Sequence, residues 1–139
     1  MADTVTGPTV LFESDKKVVT KIVVESDGTG STTVFGDVSE MAARDDGTSV
    51  AHLAVMRVWF ACDTGDGGDS HCRLDEEDSD GDIPVLGLVG TGYWDFRDFG
   101  GIPADKTSNS NESDVNFVVP SQADDGNMYT VVAEFQKIY

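Results

Sequence analysis

Val50-Ala-His-Leu-Ala-Val-Met-Arg-Val-Trp-Phe-Ala-Cys62 is the longest strand that the sequence predicts. Successive side chains on a strand point to opposite faces. With one unbroken period of two, Leu53, Val55, Arg57 and Trp59 point one way. His52, Ala54, Met56, Val58 and Phe60 point the other. Downstream, 63–70 reads as a Gly/Asp loop and 71–74 as the returning strand of a hairpin. An acidic loop is expected at 75–82, a mostly apolar strand at 83–89, a turn at 90–92 and a short extended piece at 93–96. The stretch 100–113 is polar and loop-like. A strand at 114–119 is stopped by Pro120, and Asp124-Asp-Gly-Asn127 is a turn. The last strand, 129–137, alternates Val131, Ala133 and Phe135 against Val132, Glu134 and Gln136.

Upstream, 9–13 predicts a first strand, and Ser14-Asp15 supplies a turn. The β-branched run 17–25 puts Val18, Thr20, Ile22 and Val24 on one face and Lys17 and Lys21 on the other. Asp27-Gly-Thr-Gly30 is a turn, followed by a strand at 32–38. Asp37 or Ser39 is placed to cap a short helix at 40–44; Asp37 and Glu40 have capping-box spacing. Eight to ten short strands with turns between them predict an all-β chain with at most one short helix. The expected fold is a single-domain β-sandwich over 1–139, jelly-roll-like. Ile22, Val24, Leu53, Val55, Leu86, Val118, Val131 and Phe135 are its expected core. Residues 2–8, polar and hinged at Gly7-Pro8, are a candidate N-terminal arm ordered by a neighbouring chain.

The 139 residues include 26 acidic and 9 basic ones, a net charge of −17. That balance argues against nucleic acid, which needs a basic footprint, and against anionic membrane surfaces. No run approaches the ~20 apolar residues of a membrane span, and the first residues lack the basic and apolar regions of a signal peptide. The acids are mostly Asp and Lys is scarce. Short hydrated carboxylates suit a protein that works in brine, where the Debye length falls below ~3 Å and self-repulsion nearly vanishes.

Catalytic patterns are sparse. Neither His52 nor His71 sits in a Gly-x-Ser-x-Gly, His-Glu-x-x-His or P-loop context. Asp95 and Asp98 flank Arg97, and a structural ion pair between Asp95 and Arg97 is the expected reading. Cys62 and Cys72 bracket a nine-residue loop and can be free thiols, a disulfide or, with His71, part of a metal site. Asp78, Asp80 and Asp82 in the run 75–82 are weak Ca²⁺ candidates. The EF-hand register that places Gly81 at position six puts Gly87, not Glu, at position twelve. Asn111-Glu-Ser113 matches a glycosylation sequon. No cofactor is expected, and the chain reads as a non-enzyme.

Met1-Ala-Asp-Thr-Val-Thr opens the chain, and Ser26-Asp-Gly-Thr-Gly-Ser31 follows the second strand. Asp95-Phe-Arg-Asp-Phe-Gly-Gly-Ile-Pro103 precedes the polar loop, and the run from Gly126 ends in Lys-Ile-Tyr139. In this order the four stretches resemble a family of small structural proteins of tailed viruses, encoded among head and tail genes. The chain departs from that family in the central hairpin. Cys72-Arg-Leu-Asp75 stands where Trp-Asp is frequent, and the loop 75–82 is expanded. The resemblance implies a virion protein at the capsid surface, assembled in the host cytoplasm, with a halophilic host suggested by the charge. Capsid decoration is the favoured role: a cement protein that binds the major capsid protein, as a homo-oligomer and most simply a trimer. A tail-tube or head–tail connector subunit is the alternative. A secreted carbohydrate- or calcium-binding β module is the alternative of another class. Thr4, Val5, Val10, Leu11, Phe12, Trp94, Phe96 and Phe99 are the interface candidates, because aromatics and extended apolar segments supply contact area.

The brine reading is checked by melting temperature against NaCl. A rise that continues beyond ~1 M supports it, because simple screening of surface repulsion is largely complete by that concentration.

Overall fold

A computed structural model describes residues 3–62, 71–77, 82–102, 114–121 and 126–139. Nine strands account for most of them: β1 (Thr4–Glu13), β2 (Lys17–Glu25), β3 (Ser31–Gly36), β4 (His52–Cys62), β5 (Cys72–Glu76), β6 (Ile83–Leu88), β7 (Gly90–Asp95), β8 (Val115–Val119) and β9 (Met128–Ile138). They form two antiparallel sheets, one ordered β1-β2-β9-β4-β7 and the other β3-β8-β5-β6. The pairing is nested: β2 with β9, β3 with β8, β4 with β7 and β5 with β6. The chain therefore winds inward to β5 and β6 and back out again. The expected all-β sandwich is the fold observed. Among the described residues no helix is long and apolar enough to cross a membrane.

The core lies between the sheets. Strict alternation in β2 buries Val18, Thr20, Ile22 and Val24. β9 adds Tyr129, Val131, Ala133 and Phe135, and the opposite sheet contributes Phe35, Leu74, Leu88 and Phe117. The Phe35 ring meets Phe135 edge-on at 5.6 Å and lies 6.5 Å from Phe117. Such pairs add about 0.5–1.5 kcal/mol beyond the area they bury. Of the expected core residues, Leu86 is only half-buried, because β6 is the edge of its sheet.

β4 does not keep one period. Its register with β9 steps from Val55↔Phe135 to Arg57↔Glu134, which leaves Met56 as an extra residue. The bulge inverts the facing. Leu53 and Val55 point into the core before it; Val58, Phe60 and Cys62 do so after it. Arg57 and Trp59 therefore face away from the core, and the single-period assignment of Val58 and Phe60 is corrected. The segment after β7 locks the bulge. Val55 and Ile102 exchange backbone hydrogen bonds of 3.0 and 2.8 Å, and the Phe96 N–H donates to Met56 O at 2.8 Å. Gly101 has φ +88°, and a Cβ there would stand 2.6 Å from Met56 Sδ and 3.0 Å from Val55 O.

Other expectations change for physical reasons. The helix at 40–44 is replaced by one 3-10 turn, Val38–Glu40, capped by Asp37. Ala42 is taken by distant groups: its N–H donates to Glu13 Oε2 at 2.8 Å, and its carbonyl accepts from Lys137 Nζ at 3.3 Å. Of the candidate arm 2–8, residues 4–8 belong to β1, and residue 2 lies outside the described residues. Thr4, Val5 and Thr6 pair with Glu25, Val24 and Val23, and Val5 packs on the core. Pairing with β2 satisfies backbone groups that a free arm would leave to a neighbour. Asp75 and Glu76, expected in a solvent loop, extend β5 and are buried; Arg73 Nε donates to Asp75 Oδ1 at 2.8 Å. The turn expected at 90–92 shrinks to Val89, since β7 starts at Gly90. The loop 63–70, residues 78–81 and the sequon at 111–113 lie outside the described residues.

Substitution at adjacent glycines tests the lock on the bulge. Gly100 and Gly101 both have positive φ, but only Gly101 has neighbours within 4 Å of an added Cβ. Gly100→Ala is expected to cost about 1 kcal/mol through backbone strain alone. Gly101→Ala adds a clash and is expected to cost about 3 kcal/mol. Urea denaturation of the two variants measures the difference.

Candidate interaction surfaces

Strands β1 and β7 are the two edges of the five-stranded sheet, so each presents unpaired backbone groups. The interface candidates from the sequence fall largely on them. Val10, Leu11 and Phe12 on β1 are 55%, 54% and 50% exposed. Thr4 is exposed and Val5 half-buried against the core. Two bulges, at Gly7-Pro8 and at Leu11, break the register of β1 with β2. Gly7 has φ +100°, and a Cβ there would stand 2.9 Å from Lys21 O, so the first bulge depends on glycine. On β7, Trp94 is 46% exposed and stacks on Phe96 at 5.9 Å. Phe96 is itself buried, which removes it as an anchor: its backbone is tied to the Met56 bulge and its ring supports Trp94. The side chain of Phe99 lies outside the described residues.

The five-stranded sheet has one strand more than its partner, so part of β1 overhangs. A groove of about 460 Å³ lies there, lined by Val10, Thr20, Thr33 and Met41 with Asp37 and Glu40.

The outer face of the same sheet holds a charge and aromatic ladder that strand-by-strand reading missed. Glu134 on β9 sits between two cations. Arg57 grips it through Nε and Nη2 at 2.8 and 2.9 Å, and Lys17 Nζ lies 3.2 Å from Oε1. The Arg57 guanidinium lies 5.0 Å from the centre of the Trp59 ring. Trp59 stacks on Tyr93 at 5.2 Å, and Tyr93 Oη donates to Asp95 Oδ2 at 3.2 Å. Arg97 Nη2 donates to Asp95 Oδ2 at 2.7 Å, which is the ion pair the sequence predicted. Lys17 also lies 5.6 Å from the Phe12 ring. The ladder crosses all five strands. A shallow cleft of about 290 Å³ beside it is lined by Lys16, Lys17, Arg57, Arg97, Glu134 and Gln136, together with Met56. The missed signal is the phase of β4: without the bulge, Trp59 reads as a core residue.

These contacts tune the acids. The Arg57 hydrogen bond holds the Glu134 carboxyl below the usual range, against burial, with Lys17 adding to it. Hydrogen bonds from Arg97 hold Asp95 far below the usual range.

The cysteines meet at the Val89 corner. Cys62 pairs with Gly90 in one sheet and Cys72 with Leu88 in the other, so one intervening residue pins them as neighbours. Both are buried free thiols, and the Cys72 contact together with burial pushes the Cys62 thiol well above the usual range. His52 begins β4 at one end of the sandwich, whereas His71 precedes β5 at the other, so the two do not share a site. Asp78 and Asp80 lie outside the described residues. Asp82 is exposed and accepts from Asn116 Nδ2 at 3.2 Å. Among the described residues no group of three His, Cys, Asp or Glu side chains is placed to hold a metal ion.

The ladder sets a pH signature. The Glu134 carboxyl titrates below its ordinary value of 4.5, so its contribution is complete above that pH and is lost as pH falls through the folded value. Protonating the other acids relieves self-repulsion and acts in the opposite direction, so the informative quantity is a difference. Glu134→Gln is expected to cost about 2 kcal/mol at neutral pH, the scale of hydrogen bonds to charged groups. That gap should shrink below pH 4.5. Paired denaturation curves at pH 7 and pH 3 measure it.

No family model matches the chain, and neither the curated proteins nor the solved structures contain a match to it.

Proposed function

We propose that the chain is a virion structural protein without catalytic activity: a capsid decoration protein that binds the major capsid protein from outside and bridges neighbouring subunits. The single observation that carries the proposal is the placement of exposed apolar side chains on both edges of one sheet, Val10, Leu11 and Phe12 on β1 and Trp94 on β7. Four inter-strand spacings separate these edges by about 19 Å. One subunit can therefore offer two separate strips of contact, each combining open backbone groups with apolar side chains. Repeated over a shell, weak contacts of this kind clamp by multivalency.

We read the nested winding, 2-9-4-7 facing 3-8-5-6 with β1 added, as a jelly roll. That architecture recurs in viral capsid domains but also in lectins and cupins, so the fold raises the prior and does not decide the role. The acidic surface fits a particle that assembles in brine, in a halophilic host. A trimer at three-fold or quasi-three-fold positions is the arrangement proposed.

Electron cryomicroscopy of particles from a host that makes the chain tests this. Trimeric density on the outer shell is the expected result. A six-fold ring at the tail would replace the decoration role by that of a tail-tube or connector subunit. Absence from purified particles would overturn the virion reading altogether. Val10→Lys combined with Trp94→Lys is expected to reduce particle occupancy at least ten-fold while leaving the melting temperature within a few degrees, because both side chains are already solvent-exposed.

A further inference from the structure

We propose that Cys62 and Cys72 are a latent disulfide, a staple between the two sheets that stays open in a reducing compartment and closes on oxidation by a small disulfide such as oxidised glutathione. The inference goes beyond the virion reading and does not depend on it. The chain path brings the pair together. β6 and β7 lie in different sheets and are joined by Val89 alone. β4 ends at Cys62 beside Gly90, and β5 begins at Cys72 beside Leu88. Two peptide units keep the Cα atoms of Leu88 and Gly90 within about 7 Å of each other. Their strand partners are therefore held across the same corner, one from each sheet.

The side chains complete the geometry. Both cysteines are fully buried and belong to the core cluster. Their side chains are hydrogen-bond partners. A disulfide needs side chains that face each other across a Cα separation below about 7 Å. Two inward thiols in contact meet the first condition, and the one-residue link at Val89 favours the second. Among the described residues no group of three side chains is placed to hold a metal, and His71, next to Cys72, is exposed. Oxidation to one another is the chemistry this arrangement offers.

The closed fold reacts slowly. The Cys72 hydrogen bond and burial push the Cys62 thiol well above its usual range, and only a thiolate attacks a disulfide. Both cysteines are terminal residues of their strands, where fraying costs least. Once uncovered, one cysteine loses its proton to water and attacks a sulfur of oxidised glutathione, which releases one glutathione thiolate. The other cysteine, deprotonated in turn, attacks the protein sulfur of this mixed disulfide. The Cys62–Cys72 bond forms and the second glutathione thiolate leaves. The two thiolates take up the two protons. Two protein thiols have then been oxidised by two electrons, and one small disulfide has been reduced to two thiols.

Equilibration in glutathione buffers of graded potential tests the staple. The reduced chain is refolded from urea in each buffer, so burial does not block the endpoint. The oxidised product is expected to be lighter by about 2 Da, the mass of the two hydrogens lost. Both thiols should resist alkylation, and a peptide map should join Cys62 to Cys72. With nine residues between the cysteines, loop-closure entropy predicts a bond formed about 100-fold more favourably in the folded chain than in urea. The melting temperature should then rise by about 5–10 °C on oxidation. Two alkylatable thiols at every potential overturn the proposal, as do glutathione adducts or disulfide-linked dimers as the endpoint. So does a bond that leaves the melting temperature unchanged or lowers it, because the native geometry then does not favour it. Cys62→Ala and Cys72→Ala should each abolish the oxidative shift, and a shift that persists in either overturns the staple. The wild-type mass and peptide map decide the matter even where a variant fails to fold. No virus particle enters these measurements, so the staple and the virion role fail separately.

Discussion

The architecture depends on the last strand. β9 is hydrogen-bonded along both edges, to β2 on one side and β4 on the other, so removing it would open the five-stranded sheet through its middle. The pairing Lys17↔Gln136 joins residues from opposite ends of the chain. Closure of so long a loop costs entropy before any contact repays it. The repayment is concentrated in β9, whose inner face buries Tyr129, Val131, Ala133 and Phe135 against both sheets. Its outer face supplies Glu134, the anion that Lys17 and Arg57 share. At its end Lys137 is buried against Glu13, 2.7 Å away, which ties β1 and the segment at Ala42 to the same strand. One strand therefore holds the core, the outer ladder and the edge strand in a common register.

The Met56 bulge converts that register into a surface. Past it, β4 turns Arg57 and Trp59 outward, onto the face that Glu134 and Tyr93 share. The turn from Phe96 to Ile102 pairs with the bulged backbone, so the extra residue leaves Val55 and Met56 with hydrogen-bonded partners. A bulge placed this way re-aims side chains without breaking the sheet. It also brings Arg97 to the margin of the ladder, where Asp95 receives it.

Charge and shape divide the molecule into regions of different use. Most of the exterior carries acid, which favours solubility and disfavours chance association. Against that background the two apolar edges and the aromatic sheet face stand out among the described residues, and all three belong to the five-stranded sheet. In the opposite sheet, β8 is buried throughout and β5 buries four of its five residues, Asp75 and Glu76 among them. The exposed apolar and aromatic side chains of the described residues thus gather mainly on one layer.

Local sequence determined where the strands are. The β-branched run of β2, the alternation of β9 and the stop at Pro120 mark their elements through propensity and period, and those are nearest-neighbour properties. Composition likewise set the acidic exterior. The facing of Val58 and Phe60 and the exposure of Trp59 were not legible, because alternation carries no phase across a bulge and this bulge exists only through pairing with β9 and Ile102. The burial of Asp75 and the straightening of Ala42 were hidden for the same reason. Glu13 and Lys137 reach Ala42 through tertiary contacts that no local window contains, and Asp75 is buried because β5 runs between β8 and β6. Sequence fixes strand character residue by residue; only the tertiary structure decides which strand lies beside which, and hence which side chains meet on a face, because pairing is a contest between distant segments for the same backbone hydrogen bonds.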